Sequence, residues 1–236
     1  MLRLSNAVET MTQLALAGHP GQIAWLEKYL ALRGAGEGKC MLTFGRDRQP
    51  PAERIVAEPG EGLAETLRRG LHRHPCWGAS GRRTASASPT CARPCGRRAT
   101  PWTPLETATD WSNVDGLLQK IEASLRDGLA AEGEKVHVFT HLSHVYGEGS
   151  SIYTTYVFRP AASYAATLER WKRLKHAASQ AIVDNRGTIS HQHGVGKDHA
   201  PYLPREKGEL GVAALRAMAG HFDPAGRLNR GTLLQD

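Results

Sequence analysis

Two runs that alternate apolar and polar residues, Val136 to Tyr146 and Ser151 to Arg159, stand on either side of Gly147-Glu-Gly149. Period-two alternation interrupted by a glycine-bounded turn is the pattern of an antiparallel hairpin, so this chain has to build an antiparallel sheet and find helices to cover it. The helices are legible as a second period. Gln22 to Leu32 places Ile23, Leu26, Tyr29 and Leu30 on one face, and Pro51 to Arg69 reads as another helix. Ser112-Asn-Val-Asp115 reads as an N-cap with an acidic third residue, ahead of Val114, Leu117, Leu118, Ile121 and Leu125 at helical spacing. A long helix over Ala162 to Val183 carries Tyr164, Leu168, Trp171, Ala178 and Ile182, and a last one over Arg205 to His221 stops before Asp223-Pro224. Short strands are expected at Cys40 to Phe44 and Thr188 to Ser190. This order predicts an α+β fold, an antiparallel sheet with helices on one face and a helical C-terminal tail.

Length allows one or two domains and a sizeable core. The N-terminus lacks a basic segment followed by an apolar run, and no apolar stretch is long enough to span a bilayer, so a cytoplasmic protein with reduced thiols is expected. The charge is concentrated. Between residues 72 and 103 lie six arginines and no lysine, aspartate or glutamate, so this segment carries six of the formal +7, together with three of the four cysteines. Read from composition alone, it is a basic arm for phosphate backbones or a cysteine-rich metal knuckle. It has only Trp77 and Trp102 as aromatics and no docking motif beside it, which argues against nucleic acid as a partner.

The chemistry-bearing stretch is Gly187-Thr-Ile-Ser-His-Gln-His-Gly-Val-Gly-Lys-Asp-His199. His191 and His193, two residues apart, fall on one side of an extended backbone, where imidazoles suit proton handling or the binding of a metal or anion. Gly194 and Gly196 let the chain turn sharply beside a ligand. The plainer reading is a polar loop with incidental histidines.

At these residues the sequence resembles the C-terminal region of FAD-linked oxidases of the vanillyl-alcohol-oxidase flavin superfamily, and within it the alkyldihydroxyacetonephosphate synthase-like proteins. The likeness runs through Met1 to Asn6, Gly36 to Leu42, Leu105-Glu-Thr-Ala-Thr-Asp-Trp111, Tyr146 to Tyr153, the histidine stretch, Glu206 to Arg216 and Phe222 to Leu234, in the family's order. It implies a ferredoxin-like cap domain over residues 1–236, FAD as cofactor, and a small-molecule or lipid-like substrate. Tyr153 matches the proposed catalytic tyrosine, with His191 and His193 as its proton-handling partners. Gly194, Gly196 and Asn229 fall where the cofactor cavity is lined. The family's flavin-binding domain precedes this region, and none is expected before Met1, so the chain is expected to be inactive alone, with a separately encoded flavin domain as a partner.

The 72–103 segment departs from that pattern. GC-rich codons for it, moved by one nucleotide, read as a string resembling what the family carries before its LETATDW-like segment, including a PYLR-like motif whose arginine is thought to hold the anionic group of the substrate. A compensated pair of frameshifts is therefore the expectation, with a disordered arm as the alternative. A second departure is Gln192. Synthases show three consecutive histidines here, and related D-lactate and glycolate dehydrogenases tend to have an acidic residue. Glutamine supplies no formal charge, which argues against a metal. In the synthase-like case a fatty alcohol replaces an acyl group while Tyr153, His191 and His193 manage protons, with an apolar tunnel and contact with a membrane surface. In the dehydrogenase-like case a histidine takes the hydroxyl proton of a 2-hydroxyacid.

Overall fold

The computed structural model describes residues 2–36, 38–44 and 101–234. Strands β1 (Leu2–Ser5), β2 (Met41–Phe44), β3 (Trp102–Asp110), β4 (Val136–Val145) and β5 (Gly149–Phe158) make one sheet in the order β2-β1-β4-β5-β3, antiparallel at every pairing. The helices are α1 (Ala7–Leu16), α2 (Pro20–Leu32), α3 (Trp111–Asp127), α4 (Tyr164–Asp184) and α5 (Leu203–Phe222), the last broken at Gly208, whose φ is 70°. All of these belong to one compact unit. The expected helix over Pro51 to Arg69 and nearly all of the 72–103 segment lie outside the described residues. Among the described residues no helix is long and apolar enough to cross a membrane.

The hairpin read from the sequence is β4–β5, registered from Val136 opposite Phe158 to Val145 opposite Ser150, with a bulge between Leu142 and Val145. Their inward side chains Val138, Ile152, Tyr156 and Phe158 meet Leu117, Ile121 and Leu125 of α3 and Leu174, Ala178 and Ile182 of α4 in a single core. The alternation makes this a one-sided sheet: every second residue of β5 goes to the helices, and Tyr153 goes to the other face.

Several expectations are corrected. The α3 cap is Asp110 rather than Ser112, because β3 runs into the helix with no loop and Asp110, opposite Gly149, is still extended. Tyr164 is 83% exposed, so the buried stripe of α4 occupies its second half. α2 buries none of its residues, and Trp25 and Tyr29 stack on each other instead, 5.7 Å apart. β3 has no counterpart in the sequence reading, and its first two residues, Trp102 and Thr103, are the last two of the segment ascribed to a shifted frame.

Thr188 to Ser190 is not a regular strand. The Thr188 amide donates to the Ala108 carbonyl at 3.0 Å and the His191 amide to the Glu106 carbonyl at 3.1 Å, so the segment runs antiparallel along the free edge of β3 with irregular spacing. Counting it as a fourth strand, β3–α3–β4–β5–α4–(188–191) reproduces the split βαβ order of a ferredoxin-like fold, with β1 and β2 added beyond β4. Close approach at this edge depends on Gly187. A Cβ there would lie 2.7 Å from Thr107 Oγ1, 2.8 Å from Leu117 Cδ2 and 3.1 Å from Ile182 Cγ2. Gly187→Ala is therefore expected to cost about 1–3 kcal/mol by overpacking, read from urea unfolding.

Candidate active site

One row of side chains crosses four strands on the face away from α3 and α4: Ser5 opposite His141, His141 opposite Tyr153, and Tyr153 opposite Glu106. Glu106, 5% exposed, is the hub. Its Oε1 accepts from the Ser143 hydroxyl at 3.0 Å and lies 3.0 Å from His191 Nδ1 and 3.3 Å from His144 Nδ1. Its Oε2 lies 3.4 Å from His193 Nε2. Ser143 and Ser151 share a hydrogen bond of 2.7 Å beneath it, and Tyr146 OH meets His191 Nε2 at 3.0 Å. Burial works to raise the Glu106 carboxyl. The His191 hydrogen bond, the Ser143 hydroxyl and the His191 charge outweigh it and leave the group below the ordinary glutamate value.

Tyr153 stands between two imidazoles. His193 meets its ring edge-on at 5.9 Å and His141 stacks on it at 4.8 Å. Burial first, then the negative charges of Glu106 and Glu9, push its phenol up, against the opposing charge of Arg3. His191 and His193 thus meet on one carboxylate, and Tyr153, one helix earlier in the chain, lies against His193.

The backbone that delivers the two histidines is not extended. Gln192 has φ 62°, a left-handed conformation that turns His191 and His193 toward Glu106 from a bend. Glu206 of α5 holds the approach: its carboxylate accepts from the Ile189 amide at 2.5 Å and the Thr188 hydroxyl at 3.2 Å. A β-branched side chain suits the left-handed region worst, so Gln192→Val is expected to be about 1–2 kcal/mol less stable than Gln192→Gly, measured by thermal unfolding of the two variants.

Gly194 and Gly196, φ 73° and 59°, follow immediately, and a Cβ on either would meet nothing within 4 Å, so their backbone is open to close approach. His199 closes the loop through Nδ1 to the Gly194 carbonyl at 3.1 Å; burial, then the charge of Lys175, holds its imidazole below the usual histidine value. Asn229, φ 46°, lies in the exposed C-terminal tail and makes no hydrogen bond to the cluster. Among the described residues Glu106, His144 and His191 also offer three ligand-type atoms within 4.8 Å of one another. Within that group His191 and His144 each lie at hydrogen-bond distance from Glu106 Oε1, an oxygen they share with the Ser143 hydroxyl.

Glu106, His144, Ser143 and Ser151 escaped the sequence reading as site residues. The available signal was Glu106 itself, a carboxylate between Leu105 and Thr107 in a run that otherwise suits a buried strand.

The molecule is thus a sheet of split βαβ type whose open face carries a carboxylate, a phenol and clustered imidazoles. The family model for the C-terminal domain of FAD linked oxidases matches residues 1–233, and this chain belongs to that family. The alkyldihydroxyacetonephosphate synthase of Trypanosoma brucei brucei is 26% identical over 129 residues, 55% of this chain and 21% of the relative. The synthase of Caenorhabditis elegans is 30% identical over 122 residues, 51% of this chain and 20% of the relative. A glycolate oxidase subunit of Bacillus subtilis matches more narrowly, 33% identical over 66 residues, 28% of this chain and 14% of the relative. A solved alkyldihydroxyacetonephosphate synthase shares the fold with a TM-score of 0.60 at 15% identity, over 95% of this chain and 38% of its own. The chain thus spans about a fifth of the curated synthases it resembles. FAD is the cofactor of the family and of its synthase members.

Proposed function

We propose that this chain forms the substrate side of an FAD-dependent enzyme of the alkyldihydroxyacetonephosphate synthase type, with Tyr153, His191 and His193 as its proton-handling groups. The observation that carries this reading is the convergence of His191 and His193 on Glu106, with the Tyr153 ring against His193, at the open face of the sheet. FAD, when bound, supplies the electron-accepting ring. The open backbone of Gly194 and Gly196 fits close approach of such a group, and Asn229 is assigned to the same cavity from its tail position. His191, fixed between Glu106 and Tyr146 OH, orients the loop. His193 and Tyr153, edge to ring, are placed to hand a proton across the space between them as an acyl group leaves and a fatty alcohol enters. A second reading, oxidation of a 2-hydroxyacid, is favoured by the match to the glycolate oxidase subunit. There a histidine takes the hydroxyl proton.

The flavin is assigned to a separate domain. Mixing the purified chain with a flavin-binding domain and FAD should yield a complex that keeps the visible flavin band through gel filtration and exchanges labelled fatty alcohol into an acyl-dihydroxyacetonephosphate. Reduction of a dye by glycolate or D-lactate, without alcohol exchange, would favour the second reading. Stoichiometric FAD on the chain alone would remove the need for a separate domain.

A further inference from the structure

On the far side of Tyr153 from Glu106 lies a second buried carboxylate that the proposed chemistry leaves unused. Glu9, near the start of α1, is 1% exposed. Its Oε1 is ion-paired with Arg3 Nη2, accepts from Gln13 Nε2 at 3.1 Å and lies 3.0 Å from His141 Nδ1, while its Oε2 is buried with no hydrogen-bond partner, as is Arg3 Nε. His141, 8% exposed, stacks on Tyr153 at an interplanar angle of 23°. Stability alone does not account for this arrangement, because well-packed apolar residues hold a helix to a sheet as well as a buried ion pair does. α1 had no need of it for capping either, since Asn6 accepts the Glu9 amide at 2.9 Å.

We propose that Glu9 and His141 form a second carboxylate–imidazole pair belonging to the same site, which fixes the ring of Tyr153 from the side opposite His193. Tyr153 then stands between two imidazoles, each within reach of a buried glutamate: His193 with Glu106 and His141 with Glu9. Glu9 and His141 are positioning residues, acting through Tyr153. Glu9 settles the tautomer. Its Oε1 can only accept and lies 3.0 Å from His141 Nδ1, so Nδ1 carries the proton, while Arg3 Nη2, 3.2 Å from the same nitrogen, gives its hydrogen to the carboxylate. Glu9 then accepts from His141 as well as from Arg3 and Gln13, and Nε2 is the bare nitrogen of the neutral ring. A carboxylate that orients an imidazole in this way sets which nitrogen is free to act.

The inference rests on the proposed role of Tyr153, but its test needs no flavin. In the histidine-labelled full chain at mildly alkaline pH, long-range nitrogen–proton correlations, with His141 assigned from His141→Gln, should show the Nδ1–H tautomer in the parent and in Glu9→Asp. Glu9→Gln should move it to the Nε2–H form. In parallel, chain labelled with 3-fluorotyrosine, with the Tyr153 line assigned from Tyr153→Phe, should show that line displaced in Glu9→Gln and His141→Gln, restored in Glu9→Asp and unmoved in His144→Gln. A purely structural Glu9 would lower the melting temperature and leave tautomer and line unchanged, which overturns the proposal. So would an Nε2–H tautomer in the parent. If Glu9→Gln fails to fold, the fluorine line in His141→Gln decides alone. Failure of flavin binding or of alcohol exchange would count against the proposed function and leave these readings intact.

Discussion

Glutamine in place of Glu106 is expected to destabilise the chain by about 2–3 kcal/mol and to release the histidine loop, because a buried charged acceptor with several donors is replaced by an amide that satisfies only part of them. The loss should also reshape the response to acid. The folded-state carboxyl lies below its ordinary value of 4.5, so its contribution is fully present above that value and is lost as pH falls through the lower, folded one. Glu9 behaves alike, with burial raising it and His141 and Arg3 more than compensating, and so does Glu206, where burial is outweighed by the Ile189 amide, Lys207 and the Thr188 hydroxyl together. The parent should therefore lose stability steeply below about pH 4.5. Glu106→Gln should start lower and fall less steeply, its remaining slope coming from Glu9 and Glu206. Urea unfolding of both proteins across the acid range is the measurement. Parallel curves, offset by a constant, would mean that the Glu106 carboxyl titrates alike in the folded and unfolded chains.

The contrast between what the sequence disclosed and what it concealed follows from how each signal is encoded. β4, β5, α3 and α4 were legible because their apolar residues recur with the period of the element that buries them, as Leu117, Ile121 and Leu125 do on α3. β3 was not, since Leu105-Glu-Thr-Ala-Thr carries a buried carboxylate and a buried hydroxyl where a core strand would have apolar residues, and because Thr107 Oγ1 is satisfied from outside the strand by the Thr188 carbonyl at 2.7 Å. The capping pattern at Ser112 misled for a related reason: a helix entered straight from a paired strand takes its boundary from the sheet. For the site, His191 and His193 announced themselves by density and Tyr153 by its resemblance to a family tyrosine. Glu106 and His141 are single polar residues at unrelated positions whose meaning exists only once register aligns them in one row, and Glu9 reaches that row from α1. Pairing of strands, rather than local composition, put Glu106 beside Tyr153.

In the flavin-loaded protein, His193→Ala and Tyr153→Phe are each expected to lower turnover by about 10²–10⁴-fold, the range for removing a positioned proton carrier. The two should differ in kind. Burial and the charge of Glu106 keep the Tyr153 phenol above its ordinary value of 10.0, so it stays protonated throughout the neutral range and serves as a donor. The accepting role then falls to an imidazole, and His193 is the one at the ring edge, with Glu106 Oε2 3.4 Å from its Nε2. Tyr153→Phe keeps the ring packed on His141 and deletes only the hydroxyl, so it should depress kcat with little change in KM, whereas Asn229→Ala should act through flavin retention. The check is kcat and KM for alcohol exchange, normalised to bound flavin in each variant. A Tyr153→Phe enzyme with parental kcat would take the phenol out of the reaction and leave the histidines alone around Glu106 to move the proton, since among the described residues no other phenol touches His193.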